Sequence, residues 1–222
     1  MIKTMKPPRF VFAASLAASL TLGSLLAAAP PPSLNSAELA TGPYSSMHML
    51  LEKTFLNVDV LTVDVRFGKK IHPELVKIAK GKQYSAALGN QIAQVAIGAD
   101  DALVQLKFVR DVSLDQWIDA VRENLQQAKD AGLITAAVQQ KVSNGLPQWF
   151  SAIKERGYLK NDRVLYRVHA DKLRTAVVAN DGKVLVDRTD AGKDAPRVVM
   201  ASYFAPKSDF RDLLVKSLFS SK

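Results

Sequence analysis

The chain has 222 residues, 48% of them hydrophobic and 23% charged, which is typical of one globular domain with a buried core. It contains no Cys, and this excludes a disulfide scaffold, a thiolate zinc site, an iron–sulfur cluster and a cysteine nucleophile. The net charge is +9, but the sequence has no basic stripe interleaved with aromatic residues, so the composition disfavours nucleic-acid binding.

The first 29 residues have the features of a secretory signal peptide. Lys3, Lys6 and Arg9 precede an uncharged segment, residues 10–29, that ends in three alanines. A basic start, an apolar run and small residues before the cut site form the pattern of such peptides. The apolar run is also long enough for one membrane-spanning helix, so an uncleaved anchor is the alternative. We predict a periplasmic or secreted protein whose only membrane contact is this segment, if it stays uncleaved.

Residues 30–45 predict a flexible leader, because Pro, Ser and Ala dominate this stretch. Residues 46–222 predict the folded domain. The elements expected in its first half are, in chain order, strand sequence over Ser46–Phe67, helices over Pro73–Gly81 and Tyr84–Ile97, and a strand over Ala102–Val109.

The next element is the best-defined helix of the sequence. Ser113 is a good N-cap, and Gln116 follows three residues later to complete a capping box. Apolar residues then repeat with the helical period, which predicts one buried side for a helix over Ser113–Lys129. A further helix is predicted over Leu133–Val142, and Leu146–Ile153 continues or restarts it, with the helix breakers Gly145 and Pro147 interrupting the run.

A β-hairpin and two helices complete the domain. Strand sequence at Val164–Val168 is followed by Thr175–Ala179 and Lys183–Asp187, which flank Asn180-Asp181-Gly182, a strong hairpin signal. Helices are predicted over Arg197–Phe204 and Asp209–Phe219. Strands, then helices, a hairpin and helices again predict an α+β fold with an antiparallel sheet.

Three segments resemble the chalcone-isomerase-like family, including its bacterial secreted members. They are FLNVDVLTVDVRFG (Phe55–Gly68), LKFVRDVSLDQWIDAVRENLQQ (Leu106–Gln127) and DAPRVVMASYFAPKSDFRDLLVKSLF (Asp194–Phe219). The resemblance covers Ser46–Phe219 and rests on the linear order of the segments. It implies a chalcone-isomerase-like fold, with an antiparallel sheet packed against a layer of helices. The family contains isomerases that close a flavanone ring, fatty-acid-binding relatives and bacterial secreted proteins of poorly defined role.

The resemblance also implies where a ligand cleft and its polar residues would lie. The position of the isomerases' catalytic Tyr is Trp117 here, and the Asn seven residues later is retained as Asn124. The position of their catalytic Thr falls on Asp59, and that of their Arg falls on Ser46, Met47 or His48. An indole cannot transfer a proton as a phenol does, so the resemblance predicts no efficient isomerisation. The Arg and Tyr that hold a carboxylate in the fatty-acid-binding relatives are also altered.

We therefore predict a cleft between the sheet and the Ser113–Lys129 helix that binds a small apolar or amphipathic molecule, fatty-acid- or flavonoid-like, without converting it. No cofactor and no metal is implied. The candidate cleft residues are His48, Asp59, Trp117, Asn124, Ser202 and Arg110. Each also has a plain structural interpretation, as an exposed strand residue, a core aromatic residue or a turn anchor.

Two other functions are compatible with the sequence. In the first, an intramolecular lyase or isomerase uses His48 and Asp59 as a general acid–base pair on adjacent strands. In the second, the domain is an interaction module of the envelope that uses an exposed sheet edge and has no small ligand. The nucleophile, nucleotide-binding and zinc motifs of common enzymes are absent from the sequence.

Overall fold

The computed structural model describes residue 34, residues 45–53 and residues 58–220, with only the backbone for residues 52, 53, 58, 59 and 220. The predicted signal peptide lies outside the described residues, as does the predicted leader apart from residues 34 and 45. Within the described part of the chain, no helix has both the length and the apolar composition needed to cross a bilayer.

One antiparallel sheet contains all the strands of the described residues, and neighbours in the chain are neighbours in the sheet. The six strands are β1 (Ser45–Lys53), β2 (Val58–Phe67), β3 (Asp101–Phe108), β4 (Arg163–His169), β5 (Lys172–Val178) and β6 (Val184–Ala191). The strand sequence predicted over Ser46–Phe67 is thus a hairpin of two strands.

Helices pack against one face of this sheet. They are α1 (His72–Ala79), α2 (Ala86–Ile97), α3 (Leu114–Asp130), α4 (Ala136–Trp149), α5 (Asp194–Phe204) and α6 (Arg211–Ser220), with a short 3-10 helix at Ser151–Ile153. The predicted α+β fold, an antiparallel sheet against a helical layer, is confirmed.

The alternation of side chains along the strands separates the two faces of the sheet. In β2, Val63, Val65 and Phe67 are fully buried under the helices, whereas Asp64 and Arg66, between them, are only half-buried. Successive side chains of a strand point to opposite faces, so the hydrophobic residues of β2 form one wall of the core.

The predicted capping box starts α3 as expected. The Ser113 hydroxyl accepts a hydrogen bond from the Gln116 backbone N–H at 3.2 Å, and the Gln116 side chain accepts one from the Ser113 N–H at 3.1 Å. The two bonds satisfy donors that a helix start leaves free. Trp117 and Ile118 are buried in the core formed with the sheet, and Leu125 is buried against the neighbouring helices.

The structure corrects the break predicted at Gly145 and Pro147, because α4 runs through both residues to Trp149. Pro147 has no N–H, and the Ser143 carbonyl four residues earlier instead accepts a hydrogen bond from Arg122 Nη2 at 3.4 Å. At Gly145 the missing side chain leaves room for the Trp149 ring, whose Cζ2 would lie 2.2 Å from an added Cβ. The neighbouring helix and the Trp149 ring thus compensate for both helix breakers.

Asp162, just before β4, joins segments at one end of the sheet. Its fully buried carboxylate forms a salt bridge with Arg156 at 2.7 Å. It also accepts hydrogen bonds from the backbone N–H groups of Leu159 at 2.8 Å and Asn180 at 2.9 Å. Asn180 lies in the β5–β6 turn, so this carboxylate connects the loop before β4 to the hairpin that follows.

Candidate ligand-binding site

A cavity of about 940 Å³ lies between the sheet and helices α3, α4 and α5. Its walls are largely apolar. The sheet contributes Leu61, Leu106, Phe108 and Leu173, and the helices contribute Trp117, Leu125, Leu146, Val198 and Val199. Both of the chain's two tryptophans, Trp117 and Trp149, line the cavity.

Trp117 lies on the cavity wall within a group of aromatic rings. It is 5% exposed and packs edge-on against Phe150, with ring centroids 4.6 Å apart, and against Tyr158 at 5.3 Å. Tyr158 in turn stacks on Phe108 at 4.3 Å. These contacts hold the indole in one orientation and make it both a core residue and a lining residue.

Asn124 and Ser202 also line the cavity, and Arg110 lies at its exposed rim. Asn124 follows Trp117 by seven residues, about two turns of α3, so both lie on the same side of the helix. The Ser202 hydroxyl donates a hydrogen bond to the Val199 carbonyl at 2.8 Å. Four of the six residues chosen from the sequence therefore border one cavity.

His48 does not line this cavity, which corrects its predicted position. It alternates with the buried Met47 and Met49 along β1, so its side chain lies on the opposite face of the sheet and is 59% exposed. His48 Nδ1 is 2.8 Å from Asp64 Oδ1, and its backbone N–H donates a hydrogen bond to the Ser217 hydroxyl at 3.0 Å.

The structure does not bring His48 and Asp59 together. The backbone of Asp59 lies on β2 opposite Glu52, whereas His48 pairs with Asp64 in the same hairpin. Five residues of extended chain separate Asp59 from Asp64, a distance of about 16 Å. The side chain of Asp59 is outside the described part of the structure.

A row of polar residues that sequence reasoning missed crosses the cavity wall from β4 to β6. Tyr166 pairs with Thr175, and Thr175 pairs with Arg188, so the three side chains are direct neighbours on one face. All three line the cavity, and Tyr203 of α5, also on its wall, packs against Tyr166 with ring centroids 6.5 Å apart. The alternation of side chains along β4 predicts which face of the sheet Tyr166 lies on. Only the strand register shows that Thr175 and Arg188 are its neighbours on that face.

Arg188 is the central charged group of this row. Its Nη2 forms an ion pair with Asp190 Oδ1, and its guanidinium lies 3.7 Å from the centre of the Trp149 ring. Its Nη1 is buried and has no hydrogen-bond acceptor among the described residues. A buried donor without a partner is unfavourable, so a conformation of Arg188 that gives this N–H an acceptor would be favoured.

The two cavity tyrosines remain neutral donors at physiological pH. Burial raises the pKa of Tyr166, and burial together with the nearby Tyr166 raises the pKa of Tyr203. The cavity therefore offers an apolar body with uncharged hydroxyls and one guanidinium at the β4–β6 wall.

No cluster of three or more His, Cys, Asp or Glu side chains with metal-binding geometry occurs in the described residues. Among solved structures, the chain is similar to a fatty-acid binding protein of Arabidopsis thaliana (AtFAP1), with 15% sequence identity and a TM-score of 0.48 over 81% of this chain and 89% of that chain. No family model and no curated protein matches the chain.

Proposed function

We propose that the chain is a chalcone-isomerase-like domain that binds a small apolar or amphipathic molecule, fatty-acid- or flavonoid-like, and does not convert it. The observation that carries the proposal is the cavity of about 940 Å³ between the sheet and the helices. Small-molecule sites have volumes of about 300–1,000 Å³, mostly apolar walls and a few placed polar groups. The three resembling segments support the family assignment.

The positions of the candidate catalytic groups favour binding over turnover. Trp117 stands where the resemblance places a catalytic phenol, and an indole N–H only donates a hydrogen bond. The alternative acid–base pair, His48 and Asp59, is separated along the β1–β2 hairpin. General acid–base catalysis needs both groups within hydrogen-bond reach of one substrate.

An interaction module without a small ligand is less well supported. That function needs no internal space, and side chains from the sheet and helices would then fill the region between α3 and the sheet. The walls of this region instead enclose an apolar cavity. Export to the periplasm or medium is part of the proposal and rests on the signal-like sequence of residues 1–29.

Intrinsic fluorescence tests the proposal, because both tryptophans line the cavity. We expect saturable quenching on titration with at least one member of a panel of chalcones, flavanones, fatty acids and their methyl esters. Solvent extraction of purified protein followed by mass spectrometry should recover a bound apolar molecule. The single variants Trp117→Phe and Trp149→Phe separate the two signals.

A cavity-filling variant shows whether the quenching reports this site. Val121→Phe adds a ring at the cavity wall and should weaken binding by about tenfold or more. Val76→Phe on α1, which does not line the cavity, is the matched control and should keep the affinity of the original chain. Absence of both an extractable molecule and saturable quenching across the panel would refute the proposed function.

A further inference from the structure

The charged end of the cavity contains its own counterion. Arg188 and Asp190 are two residues apart on β6, so both side chains point to the cavity face of the sheet. The ion pair between Arg188 Nη2 and Asp190 Oδ1 is partly shielded, with side-chain exposures of 23% and 34%. The guanidinium charge is therefore already neutralised before any ligand enters.

The polar groups that remain for a ligand can form hydrogen bonds, but together they carry no net charge. Arg188 Nη1 has no acceptor among the described residues, and the Arg188 side chain lies on the cavity wall. Nη1 is buried where it now lies, so a ligand reaches this N–H by a rotation of the guanidinium toward the cavity. The neighbouring polar groups, the hydroxyls of Thr175, Tyr166 and Tyr203, are all uncharged donors.

We infer that the ligand presents an uncharged hydrogen-bond acceptor, such as a carbonyl or ether oxygen, to Arg188, and that Asp190 excludes acidic ligands from this position. The inference rests on the proposed function and specifies the class of ligand. A carboxylate bound at Arg188 would place a second negative charge beside Asp190 in an apolar cavity, where like charges are strongly unfavourable. A neutral oxygen satisfies the free N–H without that repulsion.

The other charged residues at the cavity do not alter this conclusion. Arg110 and Lys141 stand at the rim together with Asp119, Glu123 and Asp194. All five are exposed, and their charges are of mixed sign. Solvent and salt screen exposed charges, so the shielded pair of Arg188 and Asp190 sets the preference inside the cavity.

The experiment compares two probes with the same ten-carbon acyl chain, decanoic acid, which is ionised at neutral pH, and its uncharged methyl ester, methyl decanoate, both below their aggregation limits. The original chain should bind the ester about tenfold more tightly than the acid. Asp190→Asn removes the competing charge and should raise the affinity for the acid by about tenfold or more, while the ester changes by less than about threefold. Tryptophan quenching and calorimetry give the dissociation constants.

Asp187→Asn is the matched control. Asp187 is also on β6 and also pairs with an arginine, Arg174 at 2.6 Å, but it lies on the opposite face of the sheet and does not line the cavity. This variant should keep the acid-to-ester ratio of the original chain. Arg188→Met removes the donor and keeps an unbranched side chain, so it should weaken ester binding.

The outcomes separate this inference from the proposed function. If the original chain prefers the acid, or if Asp190→Asn leaves the ratio unchanged while both probes bind, the inference is refuted and ligand binding stands. The ratio in the original chain decides this even where a variant does not fold. If neither probe nor any member of the wider panel binds, the proposed function fails and the inference fails with it.

Discussion

Among the described residues, Asp162 is a buried charge that depends on several hydrogen-bond donors. Its carboxylate is fully buried, pairs with Arg156, and accepts two backbone N–H groups from different segments. All of these donors stabilise a negative charge that is buried away from water. The stability of the sheet end therefore depends on this one charge.

Asp162→Asn should lower the free energy of unfolding by about 3–5 kcal/mol, because it leaves the Arg156 charge uncompensated and turns an amide N–H toward another donor. Urea denaturation followed by circular dichroism measures the change. Asp119→Asn is the control, since Asp119 also pairs with an arginine but its side chain is 77% exposed. The control substitution should lower the free energy of unfolding by about 1 kcal/mol or less. Equal effects of the two substitutions would contradict the assigned role.

The sequence predicts single-residue positions well where a regular element carries them. Trp117 and Asn124 border the cavity because the helical period and a clear capping box determine which side of α3 faces the sheet. His48 was misplaced because a strand alternates, and the resemblance does not determine which alternate position faces inward. Arg188 was missed because its neighbours come from two other strands, and their register is absent from any local pattern.

At the scale of elements, α4 depends on the absence of a side chain at Gly145. In a helix interior, Ala is normally more stable than Gly by about 1 kcal/mol. An added Cβ here would meet the Trp149 ring at 2.2 Å, so the ring must move. Trp149 also packs against Arg188, and the helix is thus coupled to the charged end of the cavity.

Gly145→Ala should therefore destabilise the protein by about 1–3 kcal/mol instead of stabilising it, because the displaced ring is overpacked. In the Trp117→Phe background, the fluorescence of Trp149 should shift as well. Gly98→Ala is the control, since Gly98 has φ −83° and an added Cβ meets nothing closer than 3.6 Å. A stabilised Gly145→Ala variant with unchanged fluorescence would show that the ring does not constrain α4.

Local sequence signals predict most elements of this chain, but they fail to predict the full length of α4. Ser85, Ser113 and Thr135 all cap the helices that follow them, as short polar residues at helix starts do. Gly145 and Pro147 are also correct local signals, since each weakens a helix. Their effect is overcome by contacts with Arg122 and Trp149, and only the packed structure shows these contacts.

At the scale of the whole molecule, the fold class follows from element order, but the cavity does not. Strand pairing in chain order is what hairpin connections favour, and hairpins join β1 to β2, β4 to β5 and β5 to β6, whereas two helices separate β2 from β3 and β3 from β4. The cavity is assembled from strands and helices that are far apart in the chain. Its volume depends on how completely their side chains fill the space between them, and periodicity contains no information about that.

Processing of the intact chain tests the export proposal. Expressed in a Gram-negative host, the protein should be found in the periplasmic fraction, shortened by about 29 residues as measured by intact mass spectrometry. Leu20→Arg places a charge in the apolar segment and should leave the protein unprocessed in the cytoplasm. Full-length protein in the membrane fraction would indicate an uncleaved anchor, and full-length original chain in the cytoplasm would refute export.

The cavity wall that carries Arg188 and Asp190 is an edge strand of the sheet. Among the described strands β6 is paired only with β5, whereas β3, β4 and β5 are bonded on both sides. An edge strand gives up fewer hydrogen bonds when it bends, so we expect the cavity to distort more easily at Arg188 and Asp190 than at the central strands. Under the proposed binding mode, the central strands would keep a constant shape around the hydrocarbon portion of a ligand, while the end at Arg188 adjusts its width to ligands of different bulk.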